Sequence, residues 1–569
     1  MNSAVIAILG LTVFVLGYRF YSNYLGRHVF GIDEDLITPA HALRDDKDFM
    51  PTRRHVLFGH HYASIAGAAP ILGPAIAVIW GWVPAVLWVV FGSVFIGAVH
   101  DFGSLVVSVH HRGESIGKIS ERLLSPRART LFLSIIFLLI FMVIPVFAMA
   151  IAKLFVHYPG AVIPINFEII VAVAIGYYVK RTGGRLLLPS LLALAALYAM
   201  ILIGWQNPVS ISQLLPWLVQ LFGPLGSAAA EEQAWVVILM VYGFIAATLP
   251  VWVLLQPRDF INSHQLVLAL GVIYLGIFVA QRTIVAPALN LEPISKGSWY
   301  PLLFVTIACG AISGFHALVS SGTTSKQLDQ LRDSRVIGYG GMLGEGTLAL
   351  AATLAVSAGF ASREDWLTHY HSWEAAAGSS ILAFITGSAT FLTPLGIPES
   401  LAMVFMSVVV ISFAATSLDT AFRLQCYILG EFGQSVNFRP LANRRRIQAG
   451  AVMLMGLLIT LFNKEQALWP LFGSTNQLVG ALALLVISIW VMQKGRNYWF
   501  TLVPMIFIAI MTTWALTSEI GFYYRDGNYL LLVIAVIVMI FEGWILYEGW
   551  QAFSRNRRGP VAVAEGAGS

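Results

Sequence analysis

The chain has 569 residues, of which 58% are hydrophobic and only 11% are charged, and its mean hydropathy is +0.77. Soluble domains carry roughly 25% charged residues, so this composition excludes a soluble protein and indicates an integral membrane protein with many spans. The net charge of +5 does not indicate nucleic-acid binding, because Lys and Arg collect in cytoplasmic loops of membrane proteins. Two cysteines, Cys309 and Cys426, provide neither a disulfide framework nor a C-x-x-C metal motif.

Apolar windows long enough to cross a bilayer recur along the whole chain. The first, Ala4 to Gly17, follows no charged segment and precedes no small-residue cleavage site, which predicts a retained helix rather than a signal peptide. The windows predict an all-α integral membrane protein with about 15 transmembrane helices. They fall at about 3–20, 57–81, 84–109, 131–156, 161–179, 186–204, 234–255, 265–280, 301–320, 336–358, 399–418, 447–462, 467–492, 498–518 and 528–549.

A weaker window at 376–392, rich in Gly, Ser and Thr, decides the topology of everything after it. If this segment crossed the membrane, the basic loop at 419–446 would lie outside, against the positive-inside rule. If it is a re-entrant or peripheral hairpin, every strongly basic loop lies on one side. The loop charges therefore predict an N-terminus outside the cell, a C-terminus in the cytoplasm and a disordered tail after Arg555.

One stretch, GHHYASIAGAAPILGPAIAVIWGW at Gly59–Trp82, is long enough to span the membrane but cannot be one continuous helix. Gly67 is a natural helix stop, Pro70 removes a backbone donor, and Gly73 followed by Pro74 predicts a helix restart. A break at mid-membrane survives only where it faces protein, water or a bound solute, and broken spans are typical of transporter binding sites. The alternative is a proline–glycine kink that serves packing only.

The layout of spans also indicates an inverted repeat. Five spans at 57–204 begin inside with the broken helix, and five at 234–418 begin outside, where Gly243 and Pro250 interrupt an apolar span. The predicted organisation is an N-terminal helix and cytoplasmic loop, a first repeat, an external loop, a second repeat containing the re-entrant segment, a basic loop, and C-terminal helices with the tail. Their ranges are 1–56, 57–204, 205–233, 234–418 (with 376–392), 419–446 and 447–569.

The first break predicts a site of its own. Carbonyl groups near Ser64, Ile65 and Ala66 would point into the gap and favour a cation. Free N–H groups around Leu72 and Gly73 would face it from the other side and favour an anion. A small carboxylate together with a co-transported cation suits such a site.

A second cluster, at 308–328, crowds hydroxyl groups at the cytoplasmic end of a span. Ser320, Ser321, Thr323 and Thr324 could bind Na⁺ or a substrate oxygen, or could equally cap the helix end. His316, alone in its span, is either a hydrogen-bonded core residue or a proton carrier.

A third cluster places His100 and Asp101 about two turns inside the membrane. Ionised groups there are costly and face a cavity or a partner, so Asp101 is the leading candidate for a titrating or ion-pairing group. The alternative is a purely structural pair with a nearby Arg or His. Glu168 and Glu345 are further acids inside predicted spans.

Enzyme chemistry has little support. His60 and His61 are adjacent and point about 100° apart on a helix, without H-E-x-x-H or a Cys partner, which argues against a shared metal. There is no G-x-x-x-x-G-K-[ST] motif for ATP hydrolysis. We expect no enzyme activity, no metal and no cofactor apart from Na⁺ or H⁺ as a coupling ion.

The sequence resembles the carbon starvation protein A family of bacterial inner-membrane carriers. The matching stretches run in order from about residue 55 to 490: FGHHYASIAGAAPILGPAIAVIWGW, GAVHDFGSLVVSVHHRGESIGKIS, QPRDFINSHQL, CGAISGFHALVSSGTTSKQL, IGYGGMLGEG, SFAATSLDTAFRLQCYILGE and WPLFGSTNQLVGALALL. The resemblance implies ion-driven uptake of peptides or pyruvate during carbon starvation. It also implies a leucine-transporter-like five-plus-five core, in which the breaks at 67–73 and 246–250 would face each other and 301–320 would bring its hydroxyls towards Ser64–Gly67.

The leading hypothesis is an inner-membrane symporter for pyruvate or short peptides that works by alternating access, with membrane lipids and the substrate as partners and no nucleic acid. The alternatives are a membrane nutrient sensor or a passive channel. The predicted substrate-binding residues are His61, Gly67, Ala68, Pro70, Leu72, Gly73 and Thr248. The predicted ion-coupling residues are Ser64, Ala66, Asp101, Ser320, Ser321, Thr323 and Thr324.

Overall fold

The computed structural model describes residues 1–33, 35–45, 48–183, 186–290, 299–435, 437–462 and 465–557. Within these ranges the regular structure is helical, and extended pairing is limited to two isolated bridges. The predicted all-α architecture is therefore confirmed. The tail predicted to be disordered lies almost entirely outside the described residues.

Thirteen helices in the described ranges are long and apolar enough to cross a membrane, and one further pair is bent by 47° at a short break. Two predicted windows, 301–320 and 447–462, correspond to shorter helices. The helices are α1 (Ser3–Phe30), α2 (Arg54–Ile65), α3 (Ala69–Trp80), α4 (Trp82–His110), α5 (Pro126–His157), α6 (Pro159–Thr182), α7 (Leu187–Gln206), α8 (Ala228–Thr248), α9 (Leu255–Ala280), α10 (Trp299–Thr306), α11 (Gly314–Gly322), α12 (Leu331–Ala358), α13 (Arg363–Tyr370), α14 (Trp373–Leu395), α15 (Glu399–Gln434), α16 (Arg445–Phe462), α17 (Ala467–Gln493), α18 (Trp499–Arg525) and α19 (Tyr529–Asn556). Short helices at Pro39–Ala42, Ile116–Leu123, Ile211–Leu214, Pro216–Gln220 and Arg439–Asn443 connect them.

Central and peripheral helices differ in how much of each is enclosed by protein. The most apolar windows of α5, α12, α15 and α17 are 78–94% buried, whereas those of α1, α6, α7 and α19 are only 33–39% buried. A helix that is apolar on all faces and largely unburied requires lipid around it. The first set therefore forms the core of the bundle and the second set faces lipid.

The bundle has two distinct ends. At one end, called the aromatic end here, Trp80, Trp366, Tyr370 and Trp373 lie together, and the N-terminal Ser3 donates its N–H to the Arg282 carbonyl nearby. At the other, called the basic end, lie Lys326, Arg444–Arg446 and Arg555. Ser3 and Arg555 are thus at opposite ends of the bundle.

Helix α14 does not run from one end to the other. Its Trp373 contacts Trp80, and its Gly387 packs against Gly359 just beyond the end of α12. Phe391, near its C-terminus, packs against Gly276 in the last turns of α9. All three contacts lie at the aromatic end, so α14 lies along that end of the bundle.

Candidate functional site

The helix α2–α3 is broken near its middle. Helix α2 ends at Ile65, Ala66 has the non-helical angles φ −81° and ψ 64°, and α3 begins at Ala69 with its axis turned by 47°. The predicted break around Gly67 is confirmed. Ala66, predicted for ion coupling, and Gly67 are two of the three residues of the break.

The predicted restart at Pro74 is wrong. Pro70 already lies in the first turn of α3, where its missing N–H costs nothing, and Pro74 lies inside that helix. The N–H of Leu72 donates to the Ala68 carbonyl at 3.0 Å. The amides of Leu72 and Gly73 therefore belong to a helix and are not free to bind an anion.

Protein encloses the break itself. A Cβ added to Gly67 would overlap Ser417 Oγ on α15, and one added to Gly73 would lie 2.5 Å from the Thr306 carbonyl oxygen. Only glycine allows approaches this close. The remaining predicted substrate-binding residues of this segment, Ala68, Pro70 and Leu72, are also buried.

A second break faces the first, between α10 and α11 at residues 307–313. Its polar backbone groups are bound by side chains: Trp88 Nε1 donates to the Ile307 carbonyl at 3.3 Å, and Ser93 Oγ donates to the Gly310 carbonyl at 2.8 Å. Asn476 Oδ1 accepts the N–H of Phe315 at 3.0 Å. This break is filled by protein rather than by open space.

The partner break was predicted at 246–250, and this prediction is wrong. Helix α8 is uninterrupted from Ala228 to Thr248, with Gly243 inside it. Pro250 ends the helix instead of splitting it, because the residue before a proline adopts extended angles, here φ −75° and ψ 150° at Leu249. Thr248, a predicted substrate-binding residue, is the last residue of α8, and its Oγ1 donates to the Ile245 carbonyl at 2.8 Å.

A cavity of about 550 Å³ leads from the basic end towards the first break. Ser64 of α2, Leu318 of α11 and Ile140 of α5 line its inner part. Asp48 and Gln434, which are exposed, line its outer part. The cavity thus connects the solvent at the basic end with the last turn of α2, just before the break.

The cavity contains some predicted residues and several that sequence reasoning did not select as binding residues. Ser64 and Thr323 were both predicted for ion coupling and both line it. His60, Thr420 and Arg423 also line it, although no sequence pattern had selected them for binding. Thr420 and Arg423 lie one turn apart on α15, whose SFAATSLDTAFRLQ stretch is the signal that points to this wall.

The adjacent histidines of α2 point into two different networks. His60 Nδ1 lies 2.9 Å from Asp259 Oδ2 on α9, and His61 Nδ1 lies 2.9 Å from Thr324 Oγ1, just after α11. Successive side chains on a helix are turned by about 100°, which accounts for the separation. His61, predicted to bind substrate, is fully buried beside a predicted coupling residue, whereas His60 reaches the cavity.

Asp101 is the centre of a buried network. Its Oδ1 lies 2.7 Å from His100 Nδ1 and its Oδ2 lies 2.8 Å from His316 Nδ1. His316 Nε2 in turn lies 3.1 Å from Glu345 Oε2, an ion-pair distance without hydrogen-bond alignment. These side chains are at most 1% exposed, so α4, α11 and α12 are joined by a histidine placed between two carboxylates.

A second buried network surrounds Arg258 of α9, which is fully buried. Its Nε donates to Glu168 Oε1 at 3.0 Å and its Nη1 donates to Asp419 Oδ2 at 2.8 Å. Ser412 Oγ donates to the second oxygen of Glu168 at 2.6 Å. A buried Arg between two acids is stable only as a unit, because removing one partner leaves an uncompensated charge. Arg258 was not among the residues predicted for a site.

The other predicted hydroxyls have structural partners or none. Ser321 Oγ donates to the Ala317 carbonyl at 2.6 Å and accepts the N–H of Ile116 at 3.0 Å. Ser320 Oγ is buried and has no hydrogen-bond partner in the described part of the chain. Of this cluster, Thr323 is the one that reaches the cavity.

Aromatic side chains close the opposite end. The ring of Trp80 lies 5.4 Å from that of Trp373, and the rings of Trp366 and Tyr370 stack at 4.6 Å. The Tyr370 hydroxyl donates to the Ala75 carbonyl of α3 at 2.8 Å. Burial raises the pKa of Tyr370, so its hydroxyl stays a neutral donor. The second half of the broken helix is thus sealed against the aromatic end.

Comparison with known proteins identifies the family. A family profile described as "Carbon starvation protein CstA" matches residues 2–368 and 364–515. The peptide transporter CstA of Campylobacter jejuni is 29% identical over 93% of this chain and 82% of its own. The peptide transporter CstA of Mycobacterium tuberculosis H37Rv is 31% identical over 93% of this chain and 78% of its own. The pyruvate/proton symporter BtsT of Escherichia coli K12 is 31% identical over 92% of this chain and 84% of its own.

Two solved structures align with most of the chain at low sequence identity. MhsT in complex with L-phenylalanine aligns over 88% of this chain and 99% of its own, with 12% identity and a TM-score of 0.42. A mutant of the Eremococcus coleocola manganese transporter aligns over 91% and 99%, with the same identity and score. The relatives are named as transporters rather than enzymes. The chain is a multi-pass membrane protein that belongs to the carbon starvation protein CstA family.

Proposed function

We propose that this protein is a proton-coupled secondary transporter that imports a small carboxylate such as pyruvate, or a short peptide, across the bacterial inner membrane during carbon starvation. The observation that carries the proposal is the cavity, which runs from the basic end to Ser64 beside the broken helix, while the aromatic end is sealed. A site open to one side only is what alternating access requires of each of its two end states.

The positive-inside rule gives the orientation. Lys326, Arg444–Arg446 and Arg555 lie at the basic end, so this end faces the cytoplasm, the N-terminus is periplasmic and the C-terminus is cytoplasmic. The conformation of the structure, with its cavity open at the basic end, is then inward-open. In the outward-open state the contacts around Trp373 and Tyr370 would separate and the cavity would close below Ser64.

The buried network around Asp101 suits the coupling proton. His316 is hydrogen-bonded to Asp101 and lies 3.1 Å from Glu345, so the group can change its charge by one proton while the bond to Asp101 stays in place. His316 belongs to α11, which also contributes Leu318 and Gly322 to the cavity wall. Proton coupling is further supported by the name of the BtsT relative, a pyruvate/proton symporter. We propose that protonation here biases the position of α11 and hence access to the site.

Proteoliposomes containing the purified protein test the function. We expect labelled pyruvate, or alanyl-alanine, to accumulate above its external concentration when the outside is acidic, and a protonophore to abolish this. A Na⁺ gradient at constant pH should not replace the proton gradient. Equal flux with and without the protonophore would indicate a passive channel, and binding without accumulation would indicate a sensor.

A further inference from the structure

The cavity wall contains a guanidinium group that protein contacts use only in part. Arg423 of α15 lines the cavity, and its Nη2 donates to the carbonyls of Ala246 at 3.1 Å and Leu249 at 2.7 Å. These carbonyls are at the C-terminal end of α8, where backbone acceptors lack intrahelical donors. One corner of the guanidinium is thereby fixed in position. Its Nε is buried and has no hydrogen-bond partner among the described residues.

The acids nearest to Arg423 along α15 contact other side chains, although Oδ1 of Asp419 is buried without a partner among the described residues. Asp419, one turn before Arg423 on the same helix, is bound through Oδ2 to Arg258 and Tyr242. Glu431, two turns after it, lies 3.8 Å from Arg129. A buried N–H without an acceptor is unfavourable, and an anionic acceptor would make a charge-assisted hydrogen bond to it.

The second arginine of this wall, Arg445, differs from Arg423 in the contacts of its guanidinium group. Arg445 donates from Nε to the Ala247 carbonyl at 3.0 Å and from Nη2 to the Arg423 carbonyl at 3.2 Å, and its guanidinium lies over the Tyr427 ring. Its Nε and Nη2 are both used by backbone carbonyls, so it holds the ends of α8, α15 and α16 together. Arg423 has the same charge with a free edge.

From these contacts we infer that Arg423 binds the carboxylate group of the transported substrate in the inward-open cavity. The inference rests on the proposed function and deepens it, because the carboxylate is the group that pyruvate and a peptide C-terminus share. Arg423 lies six residues beyond Ser417, which packs at the first break, so its Cα lies about 9 Å from that of Ser417 along the axis of α15. His60, Thr323 and Thr420 line the same cavity and are available to the rest of the substrate.

The test pairs a change in the protein with the same change in the ligand. Inhibition of pyruvate counterflow by alanyl-alanine is compared with inhibition by its C-terminal amide, which lacks the carboxylate, in wild-type protein and in Arg423→Gln. We expect the wild type to prefer the acid by roughly tenfold or more, and Arg423→Gln to show a preference close to one. Arg423→Lys, which keeps the charge but not the fork, should retain part of the preference.

The controls separate binding from a structural role. Arg445→Gln removes a cavity arginine whose Nε and Nη2 both donate to backbone carbonyls, so it should keep the acid preference even where it lowers stability. An unchanged preference in folded Arg423→Gln, or an equal loss in Arg445→Gln, would overturn the inference while leaving transport itself intact. Absence of counterflow in the wild type with both labelled pyruvate and labelled alanyl-alanine would instead refute the proposed function.

Discussion

Replacing Gly73 with Ala tests the contact between the two broken helices. The added Cβ would lie 2.5 Å from the Thr306 carbonyl oxygen and 3.3 Å from Ile307 Cα. Both are backbone atoms, so no side-chain rotation relieves the clash, and ordinary contact at 3.4 Å requires the segments to separate by about 0.9 Å. Overpacking of this kind costs about 1–3 kcal/mol, against which the better helix propensity of Ala returns about 0.5–1 kcal/mol.

We therefore expect Gly73→Ala to lower the free energy of unfolding by about 1 kcal/mol, and by at most about 2.5 kcal/mol, and to slow transport. Thermal unfolding of the detergent-purified protein and initial rates in proteoliposomes measure the two effects. Gly322→Ala is the matched control, because Gly322 lines the cavity but has no atom within 4 Å of an added Cβ. Equal stability of the two variants would refute the close packing of α3 against the second break.

Three further predictions concern the networks and the closed end. Asp101→Asn leaves His316 with a single buried carboxylate, so we expect a loss of stability of about 3–5 kcal/mol. We also expect the variant to lose proton-driven accumulation but to retain counterflow. Accumulation unchanged by the variant would exclude Asp101 from coupling. The double variant Thr323→Ala, Thr324→Ala removes one hydroxyl that lines the cavity and one that is the partner of His61. We expect it to abolish ion-dependent uptake. Uptake that still follows the ion gradient would exclude these hydroxyls from the mechanism. Trp373→Ala removes a ring that packs against Trp80 at the aromatic end. In a Ser64→Cys background, it should let a periplasmic thiol reagent reach position 64. Continued protection of that position would show that other groups form the seal.

The sequence predicted the first break because its cause is local. Gly67 and the proline that follows it are sufficient to end one helix and begin another, whatever the surroundings. The restart was misplaced by one turn because two prolines, Pro70 and Pro74, both fit the first turn of a helix. Pro74 lies inside the helix instead, and the packing of Gly73 against Thr306 beside it is not visible in the sequence.

The second break and the cavity wall depend on tertiary contacts. The segment 307–313 contains no proline, and its broken backbone is stabilised by Trp88, Ser93 and Asn476 from other helices. Pro250, the stronger local signal, merely ends α8. No sequence pattern selects Arg423, because the missing partner of its Nε is evident only when its neighbours are known.

Accessibility of position 64 tests the central claim most directly. Ser64→Cys is made in a background with Cys309→Ala and Cys426→Ala, since Cys426 also lines the cavity. A membrane-impermeant maleimide is applied to inside-out and right-side-out vesicles. We predict labelling in inside-out vesicles only, slowed by pyruvate. Labelling from the periplasmic side alone, or from neither side, would contradict a transport pathway that opens at the basic end and reaches the broken helix.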